Sequence, residues 1–225
     1  MAEPKRILCY GDSNTWGYQP VTALRYDENT RWPCRLQKAL GGEFRIIEAG
    51  LCGRTTVLDD PYDPFRNGLA SLGYALLEAE PLDLVILSLG TNDLKFSSAR
   101  AAARGISALI SQIQAITTRV PSDWALSVVV ENRRPKAPKI LVISPILVHP
   151  DIETINPRTT FAGSHEKSLQ FAADFRQIAE NSGVYFLDAA QFASPSDADG
   201  IHMTAEGHAA LADAVAEAVQ NIFRL

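Results

Sequence analysis

Residues 6–14 read Arg-Ile-Leu-Cys-Tyr-Gly-Asp-Ser-Asn, which is a short apolar run followed at once by a tight polar turn. The run from Arg6 to Tyr10 predicts a buried strand, and the Gly-Asp pair after it predicts a turn. That turn places the hydroxyl of Ser13 directly beyond the strand. Because ligands of open parallel sheets bind beyond the carboxyl ends of the strands, this stretch predicts an α/β sheet with a site at its edge.

Four further apolar runs predict buried strands, and amphipathic helical patterns lie between them. The five predicted strands span Arg6 to Tyr10, Phe44 to Glu48, Asp83 to Leu89, Lys139 to Ser144 and Val184 to Leu187. Strands that alternate with helices imply right-handed crossovers and a parallel sheet covered on both faces. We therefore expect an α/β three-layer sandwich of flavodoxin-like type, with about five parallel strands and helices on both faces.

Five main helices are expected between and after these strands. Two lie between Trp32 and Leu40 and between Gly68 and Ala79, and a third places the apolar residues of 106–113 on one face. A fourth should end at Gly183, and the last should begin after Thr204 as its N-cap.

Two stretches, Pro121 to Pro138 and Leu147 to Gly163, fit no regular element. Loops of this length often wall a pocket or contact a partner subunit. The chain has 225 residues, of which 46% are hydrophobic, and this is compatible with a single α/β domain over residues 1–225.

Composition bounds the partners and the location of the chain. The net charge is -5 and no lysine or arginine run occurs, so we expect no nucleic-acid partner. The first apolar stretch, about five residues long, is too short for a signal peptide or a membrane span, and no other stretch approaches membrane length. Cys9, Cys34 and Cys52 lack metal-ligand spacing, which predicts reduced thiols in the cytoplasm.

Polar motifs follow three of the predicted strands, and a fourth precedes the last helix. They are residues 11–14, 49–54, 90–93 and the run Asp199-Gly200-Ile201-His202. Because the carboxyl ends of parallel strands share one edge of the sheet, these motifs can converge there.

The residue types at this edge are those of nucleophilic acyl transfer. Ser13 would attack an acyl carbonyl, His202 would take its proton, and Asp199 would orient the imidazole. The resulting oxyanion needs donors, for which the candidates are the backbone N–H groups of Ser13 and Gly53 and the side-chain amide of Asn92.

Taken in order, these motifs resemble the four sequence blocks of the SGNH (GDSL-type) hydrolases. The matching blocks are Gly11-Asp12-Ser13, Gly53, Gly90-Thr91-Asn92-Asp93 and Asp199-Gly200-Ile201-His202. Longer stretches are similar to the bacterial arylesterase/acyltransferase branch of that family, namely residues 6–18, 50–56, 59–61, 82–86 and 137–145.

This resemblance implies a serine esterase that hydrolyses short-chain aryl or acetyl esters through an acyl-enzyme, and that also transfers the acyl group to alcohols. It assigns the catalytic roles to Ser13, Asp199 and His202 and the oxyanion hole to Ser13, Gly53 and Asn92. It implies a small-molecule ester as the partner, no metal or organic cofactor, no membrane, and a homo-oligomer.

One residue departs from the family pattern, since Asn14 stands where the family name has leucine, and we expect it to alter the wall of the acyl pocket. Asp12 and Asp93 are expected to bond loop backbone. For Arg54, contact with substrate and contact with a carboxylate are the two alternatives. For His208, the alternatives are solvent exposure and packing in the core.

Other functions use the same residues or none of them. A carbohydrate acetylesterase, a thioesterase or a lysophospholipase would use the same three residues, with specificity in the two irregular stretches. A non-catalytic binding module on the same fold is the alternative of another class, and the intact motifs argue against it. A metal site built from Asp199 and His202 lacks a third ligand.

Overall fold

The computed structural model describes residues 3–117 and 137–224. Its strands are β1 (Lys5–Gly11), β2 (Phe44–Gly50), β3 (Leu84–Ser88), β4 (Lys139–Ser144) and β5 (Tyr185–Asp188). They form one sheet in the order β2-β1-β3-β4-β5, and every neighbouring pair is parallel. This is the flavodoxin-like order, so the fold class expected from the sequence is confirmed.

Helices connect the strands and cover both faces of the sheet. They are α1 (Ser13–Trp16), α2 (Trp32–Leu40), α3 (Gly68–Ala79), α4 (Ala99–Thr117), α5 (Ile152–Ile155), α6 (Ser164–Ser168), α7 (Phe171–Ser182) and α8 (Ala205–Phe223). Short 3₁₀ turns lie at Gly41–Glu43, Thr91–Lys95 and Ala189–Gln191. None of the helices in the two described stretches is long and apolar enough to span a bilayer.

Two apolar layers sandwich the sheet because alternate strand residues point to opposite faces. On β1, Leu8 and Tyr10 pack with residues of α3, α4 and α7. Ile7 and Cys9 pack on the other face with residues of α2 and α8. A strand buried on both faces explains the continuous apolar runs of the sequence.

The helix ends follow the local chemistry of the chain. Gly183 ends α7 with φ 63°, and its backbone N–H reaches the carbonyl groups of Ala179 and Glu180. Thr204 caps α8, since its hydroxyl oxygen accepts the backbone N–H of Gly207 at 3.3 Å. Both predicted helix boundaries are confirmed.

Some predicted boundaries differ from the structure. Strands β1 and β2 run on to Gly11 and Gly50, beyond their apolar residues, because pairing with neighbouring strands continues to those glycines. The stretch from Leu147 to Gly163 contains the short helix α5, and the backbone N–H of His149 bonds the carbonyl of Gly200 at 2.9 Å. Residues 121–136 of the other irregular stretch lie outside the described residues.

The first three strands end level with one another. Gly11 pairs with Gly50 on one side and with Ser88 on the other. Helix α1 lies directly against the end of β2, where a Cβ atom on Gly50 would stand 2.2 Å from the backbone nitrogen of Trp16. The absence of a side chain at Gly50 therefore fixes how closely the turn after β1 approaches the sheet.

We predict that Gly50→Ala lowers the free energy of unfolding by about 1–3 kcal/mol, because the added methyl group meets backbone and cannot be accommodated by a rotamer change. Gly42→Ala is the matched control, since an added Cβ at Gly42 meets nothing within 4 Å. Urea unfolding monitored by circular dichroism measures both. Equal midpoints for the two variants would contradict this account of the α1 contact.

Candidate active site

The turn after β1 holds Ser13 at the first position of α1. Asp12 precedes it as the N-cap, and its Oδ1 accepts the backbone N–H of Asn14 at 3.0 Å. Gly17 closes the helix after four residues with φ 91°. Ser13 is thus held in a short turn that the Asp12 side chain caps at one end and Gly17 closes at the other.

A second tight turn carries Asp199 and His202. The Oδ1 atom of Asp199 accepts the backbone N–H groups of Ile201 and His202, each at 2.9 Å. Gly200 has φ 74°, a conformation that favours glycine, and allows the chain to reverse between the two residues. The carboxylate and the imidazole therefore belong to one locally bonded unit.

The two turns meet through the imidazole of His202. Its Nε2 lies 2.8 Å from Ser13 Oγ, and its Nδ1 lies 2.6 Å from Asp199 Oδ2. The Tyr18 ring stacks on the imidazole with ring centroids 4.1 Å apart. The structure therefore brings together the three side chains that the sequence analysis singled out.

Electrostatics fixes the tautomer of this imidazole. Burial alone would raise the pKa of Asp199, but the hydrogen bond and favourable electrostatic interaction with the His202 ring, with two backbone N–H donors, outweigh it and lower the pKa. An ionised carboxylate only accepts hydrogen bonds, so Nδ1 of His202 carries the proton. Nε2 is then left to accept the proton of the Ser13 hydroxyl.

The two other predicted donors lie on the same cavity as Ser13. Gly53, with φ 80°, sits in a turn that the backbone bond from Arg54 N–H to the carbonyl of Leu51 closes at 3.1 Å. The amide nitrogen of Asn92 donates one hydrogen to the carbonyl of Arg54 at 3.1 Å, and its second hydrogen is available to a ligand. Across residues 3–117 and 137–224, no acceptor bonds the backbone N–H of Ser13 or Gly53.

Arg54 ties the strand ends together rather than contacting a carboxylate. Its Nη1 atom donates to the carbonyl groups of Gly11 at 2.8 Å and Ala49 at 2.5 Å. Its guanidinium lies 4.1 Å from the centroid of the Tyr10 ring, which is a cation–π contact. Arg54 thereby joins the end of β1 to the end of β2 beneath the Gly53 turn.

Two buried carboxylates support the motifs, as the sequence analysis expected. Asp93 accepts the backbone N–H of Thr56 at 2.9 Å and its hydroxyl at 2.5 Å. Burial raises the pKa of Asp93 to about 6, against these hydrogen bonds. Burial likewise raises the pKa of Asp12 to about 6, against the hydrogen bond from the Asn14 N–H and favourable electrostatic interactions with His202 and Arg54.

The other histidines lie outside the cavity that contains Ser13. His208 is fully buried on α8, so packing is the correct alternative, and burial lowers its pKa to about 4. His149 Nε2 lies 3.2 Å from Asp197 Oδ1, and His165 Nδ1 lies 2.7 Å from the carbonyl oxygen of Val148.

The Asn14 side chain is placed differently from the expectation. It does not line the cavity that contains Ser13. Its Oδ1 accepts the backbone N–H of Met203 at 3.0 Å, and its Nδ2 donates to the carbonyl of Ile201 at 3.4 Å. Asn14 therefore contacts the turn that carries His202, and the expected role in the acyl-pocket wall is wrong.

The cavity above Ser13 has a volume of about 390 Å³. Its lining includes the groups described above together with residues 156 and 158–161, which lie within a stretch that the sequence analysis left irregular. Lys95 and Arg158 add two cations to the lining that sequence reasoning missed. Lys95 Nζ lies 3.5 Å from Asp60 Oδ2. For Arg158, its position in a predicted loop was the only feature of the sequence that could have pointed to the cavity.

Comparison with known proteins agrees with this geometry. The model of the GDSL-like Lipase/Acylhydrolase family matches residues 9–210. The crystal structure of Est24, a carbohydrate acetylesterase from Sinorhizobium meliloti, is 35% identical, covers 97% of this chain and 100% of that chain, and superposes with a TM-score of 0.87. The native aryl esterase of M. smegmatis is 36% identical, with coverages of 96% and 99% and a TM-score of 0.82. The curated proteins contain no match.

The chain belongs to the GDSL-like lipase/acylhydrolase family, because the family model spans most of its length. It is a hydrolase of the SGNH type, as the resemblance in its sequence blocks implied.

We predict that Asp12→Asn becomes more stable relative to the unchanged protein as pH rises from about 4 to about 6. Between its ordinary value of 3.8 and about 6, Asp12 binds a proton only in the folded state, so its ionisation costs stability over that range. The asparagine keeps an oxygen for the Asn14 N–H and cannot titrate. Urea unfolding from pH 4 to 7 measures the difference, and a pH-independent difference would contradict the raised pKa.

Proposed function

We propose that this hydrolase cleaves short-chain carboxylic esters, aryl or acetyl, through an acyl-enzyme on Ser13. The observation that carries the proposal is the distance of 2.8 Å between Ser13 Oγ and His202 Nε2, with Asp199 at 2.6 Å behind the ring. A hydroxyl is a weak nucleophile until a base removes its proton.

In the acylation step, the Ser13 proton passes to His202 Nε2 while Oγ forms a bond to the ester carbonyl carbon. The carbonyl electron pair moves to its oxygen and gives a tetrahedral oxyanion. Collapse of this intermediate breaks the bond to the alcohol oxygen, which takes the proton from His202 Nε2. Asp199 stays ionised throughout and stabilises the imidazolium.

We assign the oxyanion to three donors on residues that line the same cavity. These are the backbone N–H groups of Ser13 and Gly53 and the second amide hydrogen of Asn92. Because these donors are fixed by the surrounding turns, they need little reorganisation as charge develops. Loss of one such donor typically costs about 100- to 1,000-fold in kcat.

Deacylation repeats the chemistry with a new nucleophile. Water gives its proton to His202 Nε2 and attacks the acyl carbon, and the proton then returns to Ser13 Oγ as the acid leaves. An alcohol that replaces this water would give acyl transfer by the same steps. The volume of about 390 Å³ suits a small ester and its acceptor.

Ser13→Ala should abolish turnover of p-nitrophenyl acetate while the fold is kept, because no other group occupies the position of Oγ. Ser111→Ala is the matched control, since Ser111 is exposed on α4 and its hydroxyl donates to the carbonyl of Ser107 at 2.9 Å. Initial rates of nitrophenolate release, with circular dichroism for folding, measure both. Undiminished turnover by folded Ser13→Ala would reject Ser13 as the nucleophile, whereas no turnover by the unchanged protein would favour the non-catalytic binding module.

A polar wall favours acetylated carbohydrate as a second candidate substrate. The cavity lining includes the polar residues Asn156, Arg158, Thr159 and Thr160. Such donors and acceptors suit a hydroxyl-rich alcohol group better than an aryl ring. Est24, whose structure this chain resembles, is described as a carbohydrate acetylesterase.

If an acetylated carbohydrate is the substrate, Arg158→Ala should lower kcat/KM for an acetylated sugar about 3- to 10-fold. This factor corresponds to the net free energy of one lost hydrogen bond. The same variant should leave kcat/KM for p-nitrophenyl acetate within about twofold of the unchanged protein, because an aryl group offers Arg158 no hydroxyl. Arg45→Ala, an exposed arginine on β2, is the control for the loss of one positive charge. Equal losses on both esters would contradict the carbohydrate candidate, because Arg158 would then not distinguish a sugar from an aryl group.

A further inference from the structure

The side chain of Asn14 bridges the two turns that carry Ser13 and His202. Its Oδ1 accepts the backbone N–H of Met203 at 3.0 Å, and its Nδ2 donates to the carbonyl of Ile201 at 3.4 Å. The two partners require opposite roles, so they fix which end of the amide is oxygen and which is nitrogen. Asn14 is 8% exposed, which places this bridge in the interior of the protein.

The two bonded peptide groups flank a single residue. The carbonyl of Ile201 and the N–H of Met203 belong to the peptide bonds on either side of the His202 Cα atom. Asn14 itself is held on its other side, since its backbone N–H bonds Asp12 Oδ1 at 3.0 Å. The residue next to Ser13 in sequence therefore holds the backbone of His202 at two points.

The Tyr18 ring, which stacks on the imidazole, contacts the side chain of His202. The hydrogen bonds of His202 with Asp199 and Ser196 come from the loop of His202 itself. Asp199 lies on the same turn as His202, so its bonds to the ring and to two backbone N–H groups move with that turn. The carbonyl of His202 accepts the N–H of Ser196 at 2.8 Å, which is again within the same loop. Asn14 is the side chain that connects this loop to the nucleophile turn by hydrogen bonds to the backbone around His202.

We propose that Asn14 is a positioning residue that keeps His202 Nε2 within hydrogen-bond distance of Ser13 Oγ. This inference rests on the proposed function, since it assigns Asn14 a role in the reaction of Ser13. Asn14 does not face the substrate cavity, so it acts on the proton transfer and not on substrate binding. A displacement of about 1 Å in such a pair costs on the order of 100-fold in rate.

The test replaces the amide with side chains that cannot form the bridge. Asn14→Leu keeps a similar volume, and Asn14→Ala removes it, so the pair separates loss of the amide from overpacking. Both should lower kcat for p-nitrophenyl acetate about 10- to 100-fold and leave KM within about twofold. Both should also slow inactivation by a fluorophosphonate, which measures Ser13 reactivity directly, by a similar factor.

Gln37→Met is the matched control for loss of an amide bridge. Gln37 joins α2 to β2 through its own amide, which donates to the carbonyl groups of Gly41 and Phe44 and accepts the N–H of Ile46. It does not line the cavity of Ser13, so kcat should stay within about twofold. An equal fall of kcat in Gln37→Met would show a general effect of lost stability and overturn the proposal.

Two further results would also overturn the positioning role. Wild-type kcat in folded Asn14→Leu or Asn14→Ala would do so, and so would a raised KM with unchanged kcat. Residue-resolved hydrogen exchange on the unchanged protein tests the bridge without a variant. The backbone amide of Met203 should be protected, and exchange at the rate of a free amide would show that the bridge does not form. If Ser13→Ala stays active, the proposed function fails; if only the Asn14 variants keep full kcat, this inference alone fails.

Discussion

The hydrogen bond between Ser13 Oγ and His202 Nε2 joins residues 189 positions apart at 2.8 Å. It forms because β1 delivers Ser13 to the carboxyl edge of the sheet and the loop before α8 folds back over that edge. Parallel pairing sets Gly11 level with Gly50, and the bare backbone of Gly50 lets α1 lie against the strand end. That close packing sets the position of the turn that carries Ser13.

The buried carboxylates near this bond differ in whether their hydrogen bonds outweigh the effect of burial on the pKa. Hydrogen bonds outweigh burial at Asp199, so its carboxylate stays ionised and can stabilise an imidazolium. Burial outweighs hydrogen bonding at Asp12 and Asp93, whose pKa values rise to about 6. The difference suits the proposed mechanism, in which Asp199 faces an imidazole that becomes charged, whereas Asp93 bonds the neutral backbone and hydroxyl of Thr56.

Local signals predicted what depends on local structure. Apolar runs located the strands, Gly183 and Thr204 marked helix ends, and the placement of motifs after strands predicted their convergence. The partners of Asn14 could not be predicted, because they come from backbone 187 and 189 positions away that only the tertiary fold brings near. The burial of His208 depends in the same way on packing between α8 and neighbouring elements. The homo-oligomer and the cytoplasmic location stay predictions.

The most direct test of the central claim is the mass of the protein after reaction with a fluorophosphonate. The account predicts a single adduct, mapped to the tryptic peptide of residues 7–25, in which Ser13 is the only serine. Replacing His202 with alanine should reduce the rate of that labelling strongly, because the base is lost. An adduct on another residue, or no adduct on a folded protein, would contradict the assignment of Ser13 as the nucleophile.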